Sequence, residues 1–422
     1  AKTYESYKDS GSTWIGEIPS EWKVSRYKFY TTNRMGETIL ASDTTDVGIR
    51  IYSATQDDSI FGYIQNPKVI LKKGDIVIPA RGNSIGYATQ IKDEIATCSQ
   101  TTICSTNIHG INSRFLFYCI YGLKDDWFRY DGSAIPQITV DQVKNNVLPL
   151  PSKQEQHSIA SFLDTKCGEI DSLISLQEEM ISELQAYKQS VITEAVTKGL
   201  DPNAKMNCCA SREKNDACIS SSETQPAIER KIKDSGVEWI GEIPEGWEVL
   251  ALKRIFKIIA GATPKSENEA YWDGDIAWIT PADYKTEQKY VSFGRRNLSE
   301  QGYHACSTVL LPKGSIVFSK RAPIGLVAIT ERELCTNQGC LGCVPIRDVS
   351  NVFMYYLLSV YTEQFELYGS GTTFKEISAN NFANFKLMLP PLSEQQSIAT
   401  YLDAKTSQID SLISLKQQKI DE

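Results

Sequence analysis

Histidine is scarce: the sequence has only His109, His157 and His304, and none stands in an H-E-x-x-H pair. That spacing sets two imidazoles on one helix face around zinc, so its absence removes a common metalloprotease arrangement. No Gly-Lys dipeptide occurs, which excludes a Walker A loop for nucleotide phosphates. The only Pro-Pro pair, Pro390–Pro391, follows Leu389, so the Asn-Pro-Pro-aromatic motif of amino-methyltransferases is missing too. No apolar run approaches the roughly 20 residues that span a bilayer. The first residues, AKTYESYKDSG, lack the apolar core of a signal peptide, and the chain reads as cytoplasmic. These absences favour binding over catalysis. A nuclease with a diffuse metal signature is the enzymatic alternative, although acid pairs such as Asp57–Asp58 and Asp125–Asp126 read better as solvated turns.

Cysteine is present but diluted. Eleven cysteines in 422 residues is an odd number, with Cys208 and Cys209 adjacent in a polar stretch. Free thiols in a reducing compartment fit this better than a disulfide framework. Cys306, Cys335, Cys340 and Cys343 include one C-x-x-C pair, whereas a structural zinc site ordinarily has two close pairs. Zinc ligation and burial as small apolar side chains are both open to them, and no metal is assigned.

What the chain has in abundance is repetition. Residues 8–22, KDSGSTWIGEIPSEW, return at 233–247 as KDSGVEWIGEIPEGW with 11 of 15 positions identical, and IDSLISL occurs at both 170–176 and 409–415. LKKGDIVIPARGNSIGYA (71–88) resembles LPKGSIVFSKRAPIGLVA (311–328), and GSAIPQIT (132–139) corresponds to GTTFKEIS (371–378). Each half closes with a proline-bearing exit, LPLPSKQEQHSIASFLD or LMLPPLSEQQSIATYLD. A constant frame around variable filling implies two similar sites for two different ligands. The mixture of short alternating strands and short amphipathic helices predicts α+β domains.

After each exit the period changes to that of a helix. Ile170, Leu173, Met180, Leu184, Tyr187 and Val191 follow a heptad seam, widened by Ile174 and Ile181. Leu402, Ile409, Leu412, Ile413 and Ile420 repeat the register. The first helix is expected from about Glu155 to Lys198, on the order of 60 Å long, stopped by Gly199 and Pro202. The second stripe reaches Glu422, where the first continues through residues 184–200, so the distal pairing is incomplete or the chain shortened. Antiparallel pairing is the natural way to cover both stripes; separate packing of each helix on its own domain is the alternative. The expected organisation is a first domain at 1–151, a helix at 152–200, a polar connector at 201–231, a second domain at 232–393 and a helix at 394–422.

Charge divides along the same lines. Residues 24–151 carry 13 Lys+Arg against 12 Asp+Glu, and residues 249–393 carry 15 against 13, within a chain of net charge −8. The variable regions are mildly basic on an acidic frame. That frame either keeps phosphate away from unintended faces or is simply solvated.

The binding candidates follow from this pattern. A basic loop comes after each buried strand: Arg81 with Asn83, and Lys320 with Arg321. Arg and Asn can pair in bidentate fashion with base edges, while Lys and Ser/Thr commonly hold phosphates. The late loops offer Ser133 and Gln137 in the first half, and Thr372, Thr373 and Lys375 in the second. Ordinary surface roles compete for every one of these residues. Trp14, Trp22, Trp239 and Trp247 could stack on bases, but residues identical in both halves cannot distinguish two ligands. They are read as frame, together with Ile170, Leu173, Ile409 and Leu412.

The boxes, the exits and the I-D-S-L-I-S-L helices together resemble the DNA-specificity subunit of type I restriction–modification systems, in order and over nearly the whole chain. The resemblance implies two similar α/β target-recognition domains separated by a long antiparallel helical coiled coil, with an internal pseudo-two-fold repeat. It implies binding to an asymmetric bipartite DNA site, one half per domain, with half-sites on one face roughly 34 Å apart. It also implies assembly with two modification subunits that carry S-adenosylmethionine and methylate adenine N6, and with restriction subunits that use ATP and Mg; no cofactor is expected on this chain. The long cysteine-bearing connector and the short second helix depart from the family pattern. A non-DNA scaffold holding two protein partners is the alternative of another class.

Overall fold

The computed structural model describes residues 4–55, 61–128, 136–200, 231–285, 288–321, 323–370 and 375–422. The chain divides into two compact units, Ala1–Leu173 and Ile174–Glu422. Nearly all of the expected connector, residues 201–230, lies outside the described residues.

The repeated box is a hairpin built around two obligatory glycines. Asp9 accepts the Gly11 N–H on its side chain at 2.9 Å and the Ser10 N–H bonds the Gly16 carbonyl at 3.0 Å. Gly11 and Gly16 sit at φ +73° and +69°, where a Cβ is strained. In the second unit Asp234–Gly236 (3.0 Å) and Ser235–Gly241 (3.0 Å) repeat the arrangement, with φ +68° and +69°. The turn joins Tyr7–Asp9 to Glu17–Pro19, and Ile232–Asp234 to Glu242–Pro244.

Each variable region is a closed excursion from this frame. Its first strand pairs antiparallel with its last, Lys23–Arg26 with Val147–Leu150 and Glu248–Ala251 with Lys386–Leu389. Between these ends the first unit holds two four-stranded sheets, and the second a five-stranded and a three-stranded sheet. The strands Ile76–Pro79 and Ile316–Lys320 occupy equivalent places, each flanked on both sides by antiparallel partners and almost wholly buried. Gly74 and Gly314 turn the chain into them at φ +91° and +82°.

Four helices connect the frame to the variable regions: α1 (Ser113–Gly122), α2 (Lys153–Lys198), α3 (Asn351–Val360) and α4 (Leu392–Asp421). The exit motifs, repeated in the sequence as part of the frame, tie these helices to the domains. Gln156 is 2% exposed; it accepts the Asn112 N–H at 2.8 Å and donates to the Pro151 carbonyl at 3.0 Å. Gln395, 1% exposed, does the same with Ser350 N–H (2.9 Å) and the Pro390 carbonyl (2.8 Å). Asn112 and Ser350 are in turn the side-chain N-caps of α1 and α3. Glu155 and Glu394, one residue earlier, each accept an indole N–H at 3.1 Å, from Trp22 and Trp247. A Tyr–Asp contact repeats as well: Tyr118 donates to Asp164 and Tyr356 to Asp403, both at 2.8 Å.

Within the second unit the later part of α2 runs antiparallel to α4. Lys188 donates to both carboxylate oxygens of Asp410 at 2.6 and 2.8 Å, and Lys416 donates to Gln177 at 3.3 Å. The contact seam differs from the expected one by a single residue on alternate turns. Ile174, Gln177, Met180, Ile181, Leu184, Lys188 and Val191 are the half-buried positions along this part of α2, matched on α4 by Ile409, Ile413, Lys416 and Ile420, and Met180 Sδ lies 3.2 Å from Lys416 Nζ. Ile409 is buried as expected, whereas Leu412 is 49% exposed, Tyr187 50% and, in the first unit, Ile170 54% and Leu173 58%. The sequence misleads here because Gln177 reads as an interruption of the apolar stripe and Lys188 lies beside it. Long polar side chains lay their aliphatic stems on the seam and put their heads on a partner across it. The stretch of α2 without counterpart also has a structural use. Ile192, Ala195 and Val196 enter the core of the second unit with Ile243, Trp247, Phe353 and Leu402. Burying Ile192 and Val196 contributes about 1.5–3 kcal/mol each.

Candidate nucleic-acid interface

The buried strand Ile76–Pro79 runs through Ala80, itself buried, to bring Arg81 to the surface, and a 3-10 turn at Gly82–Ser84 comes next. The late loop returns to this spot. Gly82 N–H bonds the Pro136 carbonyl at 3.1 Å and Ile138 N–H bonds the Ala80 carbonyl at 3.0 Å, which places Gln137 directly opposite Arg81. Ile138 is buried beneath, and Thr139 caps the helix Val140–Asn145 with a capping box through Gln142, so the loop is held from both sides. Arg81, Asn83 and Gln137 are all exposed.

The second unit builds the same junction from different residues. Ile377 N–H bonds the Lys320 carbonyl at 3.0 Å, and Glu376 stands opposite Arg321. Ile377 is buried, as Ile138 is. Ser319 braces the turn, donating to the Pro323 carbonyl at 2.7 Å and accepting the Leu326 N–H at 2.8 Å. Glu376 pairs with both cations, 2.7 Å from Lys320 Nζ and 3.6 Å from Arg321. Lys375, beside it, is exposed.

Two segments far apart in sequence are thus joined in each unit by one shared pattern of backbone hydrogen bonds. Arg81 with Gln137, and Lys320 and Arg321 with Lys375, come together on single surfaces. Ser133, Thr372 and Thr373 lie outside the described residues. Glu376 escaped the reading of the sequence because an acidic residue is not an obvious candidate on a basic loop. Its alignment with Gln137 was the signal that could have found it.

The frame tryptophans face the protein. Trp247 is 1% exposed, Trp22 holds Glu155, Trp14 meets Trp127 edge-on at 6.0 Å, and Trp239 packs on Tyr361 (5.1 Å) and Phe385 (4.9 Å).

The thiols Cys335, Cys340 and Cys343 are buried in three different apolar clusters. Burial pushes the Cys335 thiol up to about 11 and that of Cys340 to about 12. Among the described residues no group of three or more His, Cys, Asp or Glu side chains could hold a metal ion. Gly82-Asn83-Ser84-Ile85-Gly86 spells the G-x-S-x-G nucleophile elbow. That elbow needs a strand-to-helix turn, whereas Ser84 lies in a 3-10 turn that leads to the strand Thr89–Gln90. No helix among the described residues is long and apolar enough to cross a membrane.

Comparison with known proteins agrees with this geometry. A family model described as type I restriction modification DNA specificity domain matches residues 19–186 and again residues 244–422. The chain is similar to the type I restriction enzyme MjaIX specificity subunit of Methanocaldococcus jannaschii, with 39% identity over 183 residues. That match covers 43% of this chain and 41% of that protein, so it spans less than half of the relative. The putative type I restriction enzyme MjaX specificity subunit of the same organism is 27% identical over 440 residues, covering 98% of this chain and 93% of that one. Among solved structures, one from work on assembly and conformational transition of the type I R-M system superposes with a TM-score of 0.68 at 16% identity, over 96% of this chain and 95% of that one. The HsdS subunit of Thermoanaerobacter tengcongensis gives 0.51 at 17% identity, over 96% and 93%. At such identities these two structures speak for the fold alone. The doubled family match, aligned with the doubled frame, places this chain in the type I restriction–modification DNA-specificity family.

Proposed function

We propose that this chain is the non-catalytic, DNA-reading subunit of a cytoplasmic type I restriction–modification complex. It recognises an asymmetric bipartite site in double-stranded DNA, with one half-site per variable domain, and directs methylation or cleavage by its partners. The carrying observation is the junction repeated in each unit, where one backbone pattern presents Arg81 and Gln137 beside the buried Ala80 in the first and Lys320, Arg321 and Glu376 in the second. A constant mount with different side chains suits two different half-sites. Arg81, Asn83, Gln137, Arg321 and Lys375 are the proposed base and phosphate contacts within the described residues, with Ser133, Thr372 and Thr373 from the neighbouring sequence. Lys320, the remaining candidate of the second loop, is held by Glu376 at 2.7 Å and is not counted among these contacts.

The chain itself holds no cofactor in this reading. S-adenosylmethionine belongs to two modification subunits, and ATP and Mg to restriction subunits. Exposed apolar side chains on the helices support docking of such partners: Phe162, Ile170 and Leu173 in the first unit, and Leu176, Leu412 and Leu415 in the second.

Methylation mapping of the host, with and without this gene, tests the proposal directly. One bipartite, non-palindromic methylated motif should disappear with the gene, and its spacer should be fixed. An unchanged methylation pattern would refute it.

A further inference from the structure

At three equivalent positions the two junctions differ in composition but agree in charge, while Lys375 of the second stands where the first has Pro136. Ala80, Arg81 and Gln137 sum to one positive charge; so do Lys320, Arg321 and Glu376, since the added lysine is matched by the added carboxylate. The match is physical as well as formal. Lys320 Nζ lies 2.7 Å from Glu376 and its side chain is only 15% exposed, whereas Arg321 is 3.6 Å away and 39% exposed. A lysine held this way cannot extend to a phosphate without breaking its ion pair. Arg321, more weakly held and more open, remains available, and it occupies the position of Arg81.

We propose that Glu376 is a specificity-determining residue of the second domain: it locks Lys320 in a neutral pair and so withholds a cation from non-specific phosphate contact. The inference rests on the DNA-reading function proposed above. A free lysine on a recognition loop strengthens binding to every sequence, because phosphate contacts carry no base information. Withholding it leaves a larger share of the affinity to groups that read bases. In the first domain Ala80 leaves nothing to withhold, and the uncharged Gln137 stands where Glu376 does.

The test compares the full chain with its Glu376→Gln variant on two duplexes. One carries the site defined by methylation mapping, the other a scrambled sequence of the same length and composition, and both are titrated with salt. Glu376→Gln should bind the scrambled duplex more tightly, by up to roughly tenfold at 0.1 M salt, with a slope of log K against log salt steeper by about 0.9. The ratio of specific to scrambled binding should fall. The double variant Lys320→Ala/Glu376→Gln gives these three positions the side chains of the first junction, leaves Lys375 in place, and should restore both the slope and the scrambled-duplex affinity. Wild-type discrimination with an unchanged slope in Glu376→Gln would overturn this inference alone. Failure of the wild-type chain to prefer the mapped site would overturn the DNA-reading function and this inference with it. A double variant as steep as the single one would show that the added affinity does not come from Lys320, and would also overturn it.

Discussion

Replacing Gln395 with methionine should uncouple α3 from α4 without opening a cavity, because the two side chains have similar volume. The glutamine is 1% exposed and serves two backbone groups, the Ser350 N–H at 2.9 Å and the Pro390 carbonyl at 2.8 Å. Methionine offers neither a good acceptor nor any donor there. Each buried backbone group left without a partner costs about 1–3 kcal/mol. Ser350 is only half-buried and Pro390 is buried, so the sum should fall near 2–5 kcal/mol. For a unit of this size that lowers the thermal midpoint by roughly 4–20 °C. Hydrogen exchange locates the effect better than a bulk melt, since the two units need not unfold together. Amides of α3, from Ser350 onward, should lose protection, while those of α1 in the first unit keep theirs. Gln156→Met should produce the mirror result, since Gln156 makes the same two bonds to Asn112 and Pro151. A shift below about 1 °C in Gln395→Met, or unchanged protection across α3, would refute the assignment of this glutamine as the tie between helix and domain.

Other outcomes can be checked more briefly. Arg81→Ala should cost about 1–3 kcal/mol in binding and relax the preference at one half-site only; a loss uniform across sequences that shrinks with added salt would make Arg81 a phosphate contact. The Asp164 carboxyl is held below its usual range: burial alone would raise it, but hydrogen bonds from Arg114 and Tyr118 and the guanidinium charge outweigh that. A depressed carboxylate stabilises the fold above its unfolded value, about 3.9, and the contribution is lost as pH falls through the folded value. Asp164→Asn should therefore destabilise the first unit at pH 6–7, and the gap in urea midpoint from wild type should narrow as pH falls below about 4; a gap that widens on acidification would refute the sign. Inserting residues within 177–198 should change the preferred spacer between half-sites and leave both half-sites as they are; a changed half-site would contradict a spacing role for this helix.

The frame of this protein was legible in its sequence because repetition exposes it. The glycines of the two boxes recur because each turn needs two left-handed positions, and the Glu-Gln pair of each exit recurs because one residue holds an indole and the next a helix cap. The start expected for the first helix, at about Glu155, falls within two residues of Lys153, where α2 begins. The functional junction was half legible. Arg81 and Gln137, or Arg321 and Lys375, could be named separately, but nothing local shows that segments 56 residues apart meet through Gly82–Pro136 and Ala80–Ile138 backbone bonds. The role of Glu376 was invisible for the same reason, since a carboxylate gains its meaning only from the Lys320 ammonium folded against it. The helix seam was decided by tertiary structure too: a stripe of Leu, Ile and Met fits two registers one residue apart. The Lys188–Asp410 and Lys416–Gln177 contacts select between them. Sequence alone determined what repeats and in what order the repeated segments follow one another. Only the fold decided which side chains share a surface, because that depends on backbone bonds between distant segments and on polar heads finding partners across a seam.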